Sequence, residues 1–215
     1  MRPYSASVST SPTVTEAPSR RWAPLVLVVL VVLAGCATQP ADVGIDEPDW
    51  ARHQSELAAL DSWSFSGRVA IKTEEGADSA RLKWRQAEDD LEMSLSGPAG
   101  LKQTTLILED EQLSLVRNGE RRPLDSREDA LATEFGWSLP LDYLPWWLRG
   151  LPAPQLPADR SELDGGRLAL LEQAGWTVEY AEYQWVEELQ LPRTIRFRRE
   201  GVEGKILLKS WLLHQ

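Results

Sequence analysis

The sequence predicts a mainly β fold of the α+β class, an antiparallel sheet with a few short helices gathered on one face. Three observations predict it. Beyond Ser62, apolar and polar residues alternate with period two along most of the chain. The connections between alternating segments are mostly of turn length, which suits antiparallel neighbours. Helical patterning is confined to one stretch before the first strand and one interruption in the middle.

The first element precedes the fold. Arg20 and Arg21 are followed by an almost unbroken apolar run from Trp22 to Ala34, and then by Gly35 and Cys36. A run of 13 residues is too short to span a bilayer, which takes about 20, but has the length of a signal-peptide core. Leu33-Ala34-Gly35-Cys36 resembles the lipobox of bacterial lipoproteins. The resemblance implies cleavage before Cys36, a diacylglyceryl group on its sulfur and an N-acyl group on its new amino terminus. Residues 1–35 are therefore expected to be a lipoprotein signal peptide. The Ser, Thr and Pro-rich residues 1–19 are either an extended leader or lie upstream of the true start. Ala37 in place of an Asp favours sorting to the outer membrane. Residues 36–48, with Pro40, Gly44 and Pro48, have no apolar period and read as a lipidated tether, so the folded domain is placed at 49–215.

Trp50, Leu57 and Leu60 with intervening Ala predict a short amphipathic helix capped by Asp49. His53 lies within it as a surface or packing residue. Trp63, Phe65, Gly67, Val69 and Ile71 then alternate with mostly polar residues, as do Ala80, Leu82 and Trp84, and Leu91, Met93 and Leu95. These are three strands of a meander with one apolar face. Thr104–Glu109 and Gln112–Arg117 form a further hairpin across Asp110-Glu111, and Asn118-Gly119 is the preferred dipeptide of a type I′ turn.

At Asp125-Ser126 a capping box opens a short helix that Gly136 closes. The segment from Pro140 to Pro152 is too rich in proline for a long helix and too apolar for an exposed loop, so it must cover an apolar surface. Strand rhythm returns in Arg167–Leu171, around Trp176, Val178 and Tyr180, around Ile195 and Phe197, and in Ile206–Leu213. Trp63, Trp84, Trp137, Trp146, Trp147, Trp176, Trp185 and Trp211 either fill an ordinary core, the reading that composition alone favours, or line a cavity between sheet and cover.

Composition removes several classes of function. The chain of 215 residues carries 23 basic and 33 acidic side chains, for a net −10. Removing the signal segment, whose Arg2, Arg20, Arg21 and Glu16 sum to +2, leaves −12. This charge disfavours a nucleic-acid partner. One cysteine and two histidines leave no basis for a metal site or an internal disulfide. Asp89-Asp90, Glu109-Asp110-Glu111 and Glu187-Glu188 fall in predicted turns, and no G-x-S-x-G, H-E-x-x-H or P-loop pattern is present. No catalytic residue and no cofactor is assigned.

Several motifs occur in order around the lipobox Cys36. They are Phe65-Ser66-Gly67-Arg68-Val69-Ala70, Ala80-Arg81-Leu82-Lys83-Trp84, Gly97-Pro98-Ala99-Gly100, Leu139-Pro140-Leu141, Trp147-Leu148-Arg149-Gly150-Leu151-Pro152, Trp176-x-Val178-x-Tyr180-x-x-Tyr183 and Leu191-Pro192. Together they resemble the LolB family of outer-membrane lipoprotein receptors over about residues 50–213.

That resemblance implies a curved sheet forming a half-open β-barrel, with a lid of short helices over an apolar cavity. It implies a monomer anchored in the outer membrane and facing the periplasm. Such a protein accepts lipoproteins from the periplasmic carrier LolA by their acyl chains and inserts them into the inner leaflet of outer-membrane lipid. Trp84, Trp147, Trp176 and Tyr180 are the candidates for the acyl-chain pocket or lid. In the family the loop equivalent to Gly97–Leu101 carries an exposed Leu that dips into the membrane. Here Ala99 holds that position, and Leu101 is either the apolar tip or an inward-facing strand residue. A lipid-anchored envelope assembly scaffold is the alternative reading, followed by a cell-envelope hydrolase.

Overall fold

A computed structural model describes residues 46–97, 103–124 and 140–214. Eleven strands form one antiparallel sheet in the order β6-β5-β4-β3-β2-β1-β11-β10-β9-β8-β7. Two meanders build it. The first is β1 (Ser62–Thr73), β2 (Gly76–Ala87), β3 (Asp90–Ser96), β4 (Thr104–Glu109), β5 (Gln112–Arg117) and β6 (Glu120–Pro123). The second is β7 (Arg160–Asp164), β8 (Arg167–Gln173), β9 (Trp176–Val186), β10 (Leu189–Arg199) and β11 (Val202–His214). They join where the last strand returns beside the first, with Trp63 opposite Leu213 and Val69 opposite Ile206. The end strands β6 and β7 do not pair with each other, so the sheet is open.

The short loops obey turn chemistry. Asn118 and Gly119 both have positive φ, 52° and 83°, as a type I′ hairpin turn requires, and the turn leads into β6. The Asp110-Glu111 turn is of the same kind, with φ of 49° and 63°. Neither edge strand has an apolar alternation of its own: β6 is exposed throughout, and in β7 only Leu163 is partly buried.

Two helices are described. Helix α1 spans Asp46–Ala58, so it starts three residues before the expected Asp49 cap and takes in the end of the predicted tether. Pro48 is tolerated there because the first turn of a helix has no intrahelical use for its amide N–H. Helix α2 is the six-residue stretch Leu144–Arg149 inside the Pro140–Pro152 cover, with Pro145 in its first turn. It stops at Gly150, whose φ of 85° is left-handed, and a Cβ there would crowd Tyr183 and Pro192. The expected helix from Asp125 to Gly136 and the Gly97–Leu101 loop fall largely outside the described residues. The loop does connect two strands, since β3 ends at Ser96 and β4 begins at Thr104.

Alternation sorts the sheet into an inner and an outer face. Trp63, Phe65, Val69 and Ile71 of β1, Leu82 and Trp84 of β2, and Leu91, Met93 and Leu95 of β3 are all buried on the inner side. They form one cluster with Leu57 of α1 and with Leu144, Trp147 and Leu148 of α2. Burial of this apolar area is the main favourable term in folding.

Candidate functional site

The inner face is unusually aromatic, and the register explains how its rings meet. Phe65 lies directly opposite Trp84 across the β1–β2 pair, which brings Trp63 and Trp84 into a diagonal cross-strand relation. Their rings are nearly parallel, 3° apart, with centroids at 6.0 Å. Trp211 of β11 closes the group, at 5.4 Å from Trp63 and 5.1 Å from Phe65. A bulge between Ser64 and Ser66 in the β1–β11 pairing accompanies this crowding. The buried indole N–H groups of Trp63 and Trp84 have no hydrogen-bond partner among the described residues.

A second aromatic group gathers under α2. Trp147 meets Trp176 of β9 at 6.4 Å, and Trp176 meets Phe197 of β10 at 5.9 Å. The Tyr180 hydroxyl donates to the Trp147 carbonyl at 3.1 Å. Burial pushes the Tyr180 phenol well above its ordinary pKa of 10.0, and Tyr183 beside it is raised for the same reason, so both stay neutral donors. Tyr183 donates to the Leu168 carbonyl at 2.8 Å.

Arg149 connects the two groups. Its guanidinium lies 4.7 Å from the Trp146 ring and 5.9 Å from the Trp63 ring. It donates to the carbonyls of Leu57 and Leu60 at 3.0 and 2.9 Å, at the C-terminal end of α1, and to Pro145 at 3.0 Å. Burial lowers its pKa to about 10, which leaves it charged at neutral pH.

Of the residues singled out in the sequence, Trp147, Trp176 and Tyr180 come together, and Trp84 sits in the neighbouring ring cluster; all four are buried. Cys36, Ala99 and Leu101 lie outside the described residues. The reading in which Trp185 fills the core fails, because Trp185 is 69% exposed. Trp185 is out of phase with the buried Trp176, Val178 and Tyr180 of its own strand, and it ends on the rim of a groove of about 860 Å³ with Asp49, His53 and Leu213. Of two polar residues central to the site, Gln173 carries no sequence signal and Arg149 only its place in a family motif, because partners such as Leu57 and Ala153 are distant in the chain. The acidic turn residues Asp89, Asp90, Glu109, Asp110, Glu111, Glu187 and Glu188 are exposed. Among the described residues no cluster of His, Cys, Asp and Glu could hold a metal ion.

A covered apolar surface suits binding of apolar ligands. Comparison with known proteins makes this specific. The sequence profile described as "Outer membrane lipoprotein LolB" matches residues 61–211. The chain belongs to this family.

Curated LolB relatives align over nearly their full length. The outer-membrane lipoprotein LolB of Chromohalobacter salexigens is 35% identical over 208 residues, covering 95% of this chain and 96% of that protein. LolB of Stutzerimonas stutzeri is 36% identical, covering 84% and 90%. The architecture recurs at far lower identity. A LolA superfamily protein from Nitrosomonas europaea shares 10% identity at a TM-score of 0.54, covering 79% of this chain and 94% of that one. A DUF1329 family protein from Desulfovibrio piger shares 10% at 0.53, covering 77% and 90%. Among the described residues of this LolB family member, no helix is long and apolar enough to cross a membrane.

Proposed function

We propose that this LolB family member receives lipoproteins from the periplasmic carrier LolA by sheltering their acyl chains against the inner face of the sheet, and passes them to the inner leaflet of the outer membrane. The observation that carries this reading is the aromatic inner face under α2, in a chain whose relatives are outer-membrane lipoproteins and whose fold is shared with the LolA superfamily. Leaving hydrocarbon in water costs ~0.8 kcal/mol per CH₂, so several acyl chains crossing an aqueous compartment need cover. The two indole N–H groups of Trp63 and Trp84 would gain acceptors from acyl ester carbonyls.

Transfer makes and breaks no covalent bond. With no nucleotide motif in the chain, the handover runs downhill, from carrier to receptor pocket to bilayer, each accommodating the acyl chains better than the one before. The protein itself is held at the membrane by diacylglyceryl and N-acyl groups on Cys36, facing the periplasm as a monomer.

Displacement of a fluorescent fatty acid tests the reading. Saturable displacement by acylated peptide, weakened by Trp176→Ser or Tyr180→Ser in proteins that still fold, is expected. Absence of any acyl binding would sink the receptor and favour an envelope scaffold. Depletion in cells should leave lipoproteins at the inner membrane.

A further inference from the structure

The chain is acidic overall, yet the outer face of its central strands is basic. Arg68 of β1, Arg81 and Lys83 of β2, Arg196 of β10, and Lys205 and Lys209 of β11 all point to the exposed side of the sheet. The register packs them into adjacent rows. Arg68 stands directly opposite Arg81, and Arg196 directly opposite Lys205, while Lys83 and Lys209 flank Ser66 from either side. Like charges in directly opposed positions oppose strand pairing. None of the six has a salt-bridge partner among the described residues. Of the carboxylates nearest in register, Glu203 is engaged by Lys72 at 2.9 Å and Glu179, directly opposite Arg196, by Arg198 at 3.9 Å, while Glu92 borders the patch diagonal to Lys83 and opposite Arg85. With strands about 4.8 Å apart, four adjacent strands spread this charge over roughly 15 Å.

We propose that this outer face docks on the anionic phospholipid headgroups of a membrane leaflet. Two features favour a lipid surface over an acidic protein. Specific protein interfaces centre on buried aromatic or aliphatic anchors. Here Leu207, between Arg68 and Thr194, is already partly buried, and the exposed Leu212 lies at the margin. A dispersed array of point charges without an anchor is what adsorbs to an anionic leaflet, where charge density and not shape provides the attraction. The remaining surface, with its acidic excess, is repelled by the same leaflet, so adsorption also fixes which way the domain faces. The proposal rests on the membrane-anchored reading only for bringing the two surfaces together.

The test uses the full lipidated protein reconstituted in vesicles, with a fluorophore on Ser79→Cys, an exposed outer-face position, and nitroxide-labelled lipid as quencher. Quenching is expected in vesicles containing phosphatidylglycerol and not in pure phosphatidylcholine, and it should fall as ionic strength rises. In Arg68→Glu/Arg81→Glu/Lys205→Glu the docked-to-free ratio should drop by at least roughly a hundredfold, since losing three cations costs about fivefold each before the new carboxylates add repulsion. If circular dichroism shows that triple variant unfolded, the Gln versions serve instead.

Equal quenching in both lipids, or quenching untouched by the substitutions, overturns the proposal. Protein that floats with the vesicles but shows no quenching overturns it while leaving the anchored reading intact. Protein that does not float refutes the anchored reading, and co-sedimentation from solution with phosphatidylglycerol vesicles at low salt then decides the docking face alone. If the triple variant loses carrier-dependent delivery with quenching unchanged, the face belongs to an acidic protein and the lipid assignment fails.

Discussion

The indole N–H of Trp147 donates to the side-chain oxygen of Gln173 at 2.9 Å, both residues buried, and this one bond ties the α2 cover to the end of β8. The same oxygen accepts the Ala153 amide at 2.9 Å, and the Gln173 amide donates to the carbonyls of Ala153 and Leu156 at 2.8 and 2.7 Å. Every donor and acceptor of that side chain is used to fasten the segment after α2. Replacing Gln173 with Ala orphans buried partners at about 1–3 kcal/mol each before relaxation, so an overall loss of about 3 kcal/mol is expected in urea unfolding. Trp147→Phe should cost less in hydrogen bonding, and the double mutant should be clearly non-additive. Additive losses would show that the two groups do not act together.

Arg149 performs the corresponding task for α1. Its guanidinium satisfies two carbonyls at the end of that helix while stacking on Trp146. Arg149→Ala should cost about 2–4 kcal/mol, since buried acceptors lose a charged donor. Arg149→Lys should restore little of it, because a single ammonium cannot reproduce the planar fork. Hydrogen exchange gives the local readout: amides of α1 should lose protection before those of β1. Uniform loss across the sheet would contradict this role.

Gly67 sits where the β1 backbone lies close against that of β11. A Cβ there would fall inside the van der Waals shell of the Leu207 carbonyl oxygen, a backbone atom that cannot rotate away. Since the β1–β11 pair joins the two meanders, Gly67→Ala should destabilise by on the order of 3 kcal/mol or more. Gly119→Ala, where no atom lies within 4 Å, should be milder. Thermal melts of the two variants should differ by several degrees; equal melts would refute the close approach.

His53 gives the domain an acid sensitivity. Burial is the main reason its pKa lies below the ordinary 6.5, with Arg167 and Arg52 acting in the same direction and Glu56 against. The folded state then binds a proton less readily than the unfolded one. Its contribution is complete above about pH 6.5 and is lost as the pH falls through 6.5 toward the folded value. Urea midpoints should decline from pH 7.5 to 5.5, and His53→Gln should flatten that decline. An unchanged slope in the variant would assign the effect elsewhere.

The sheet was legible wherever one face had to be buried. Trp63, Phe65, Val69 and Ile71 could alternate only one way, and Asn118-Gly119 could only turn. The strands that escaped notice, β6 and β7, are edges with little or no apolar side, so no pattern marks them. Trp185 misled because a large aromatic side chain was expected inside by its type, although its place in β9 is out of phase with the buried Trp176, Val178 and Tyr180. Gln173 gave no signal, and Arg149 only its place in a motif and not its role, because their partners, such as Leu57, 92 residues from Arg149, are chosen by packing.

By itself, then, the sequence determined the strands that bury one face, the apolar side of each of these and the family, since these depend on periodicity and short motifs that neighbouring residues impose on one another. Only the tertiary structure decided which rings touch, which polar groups fasten the cover, and that six cations with no salt-bridge partner among the described residues gather on the outer face. Those relationships join residues from different strands, and strand pairing alone sets them side by side.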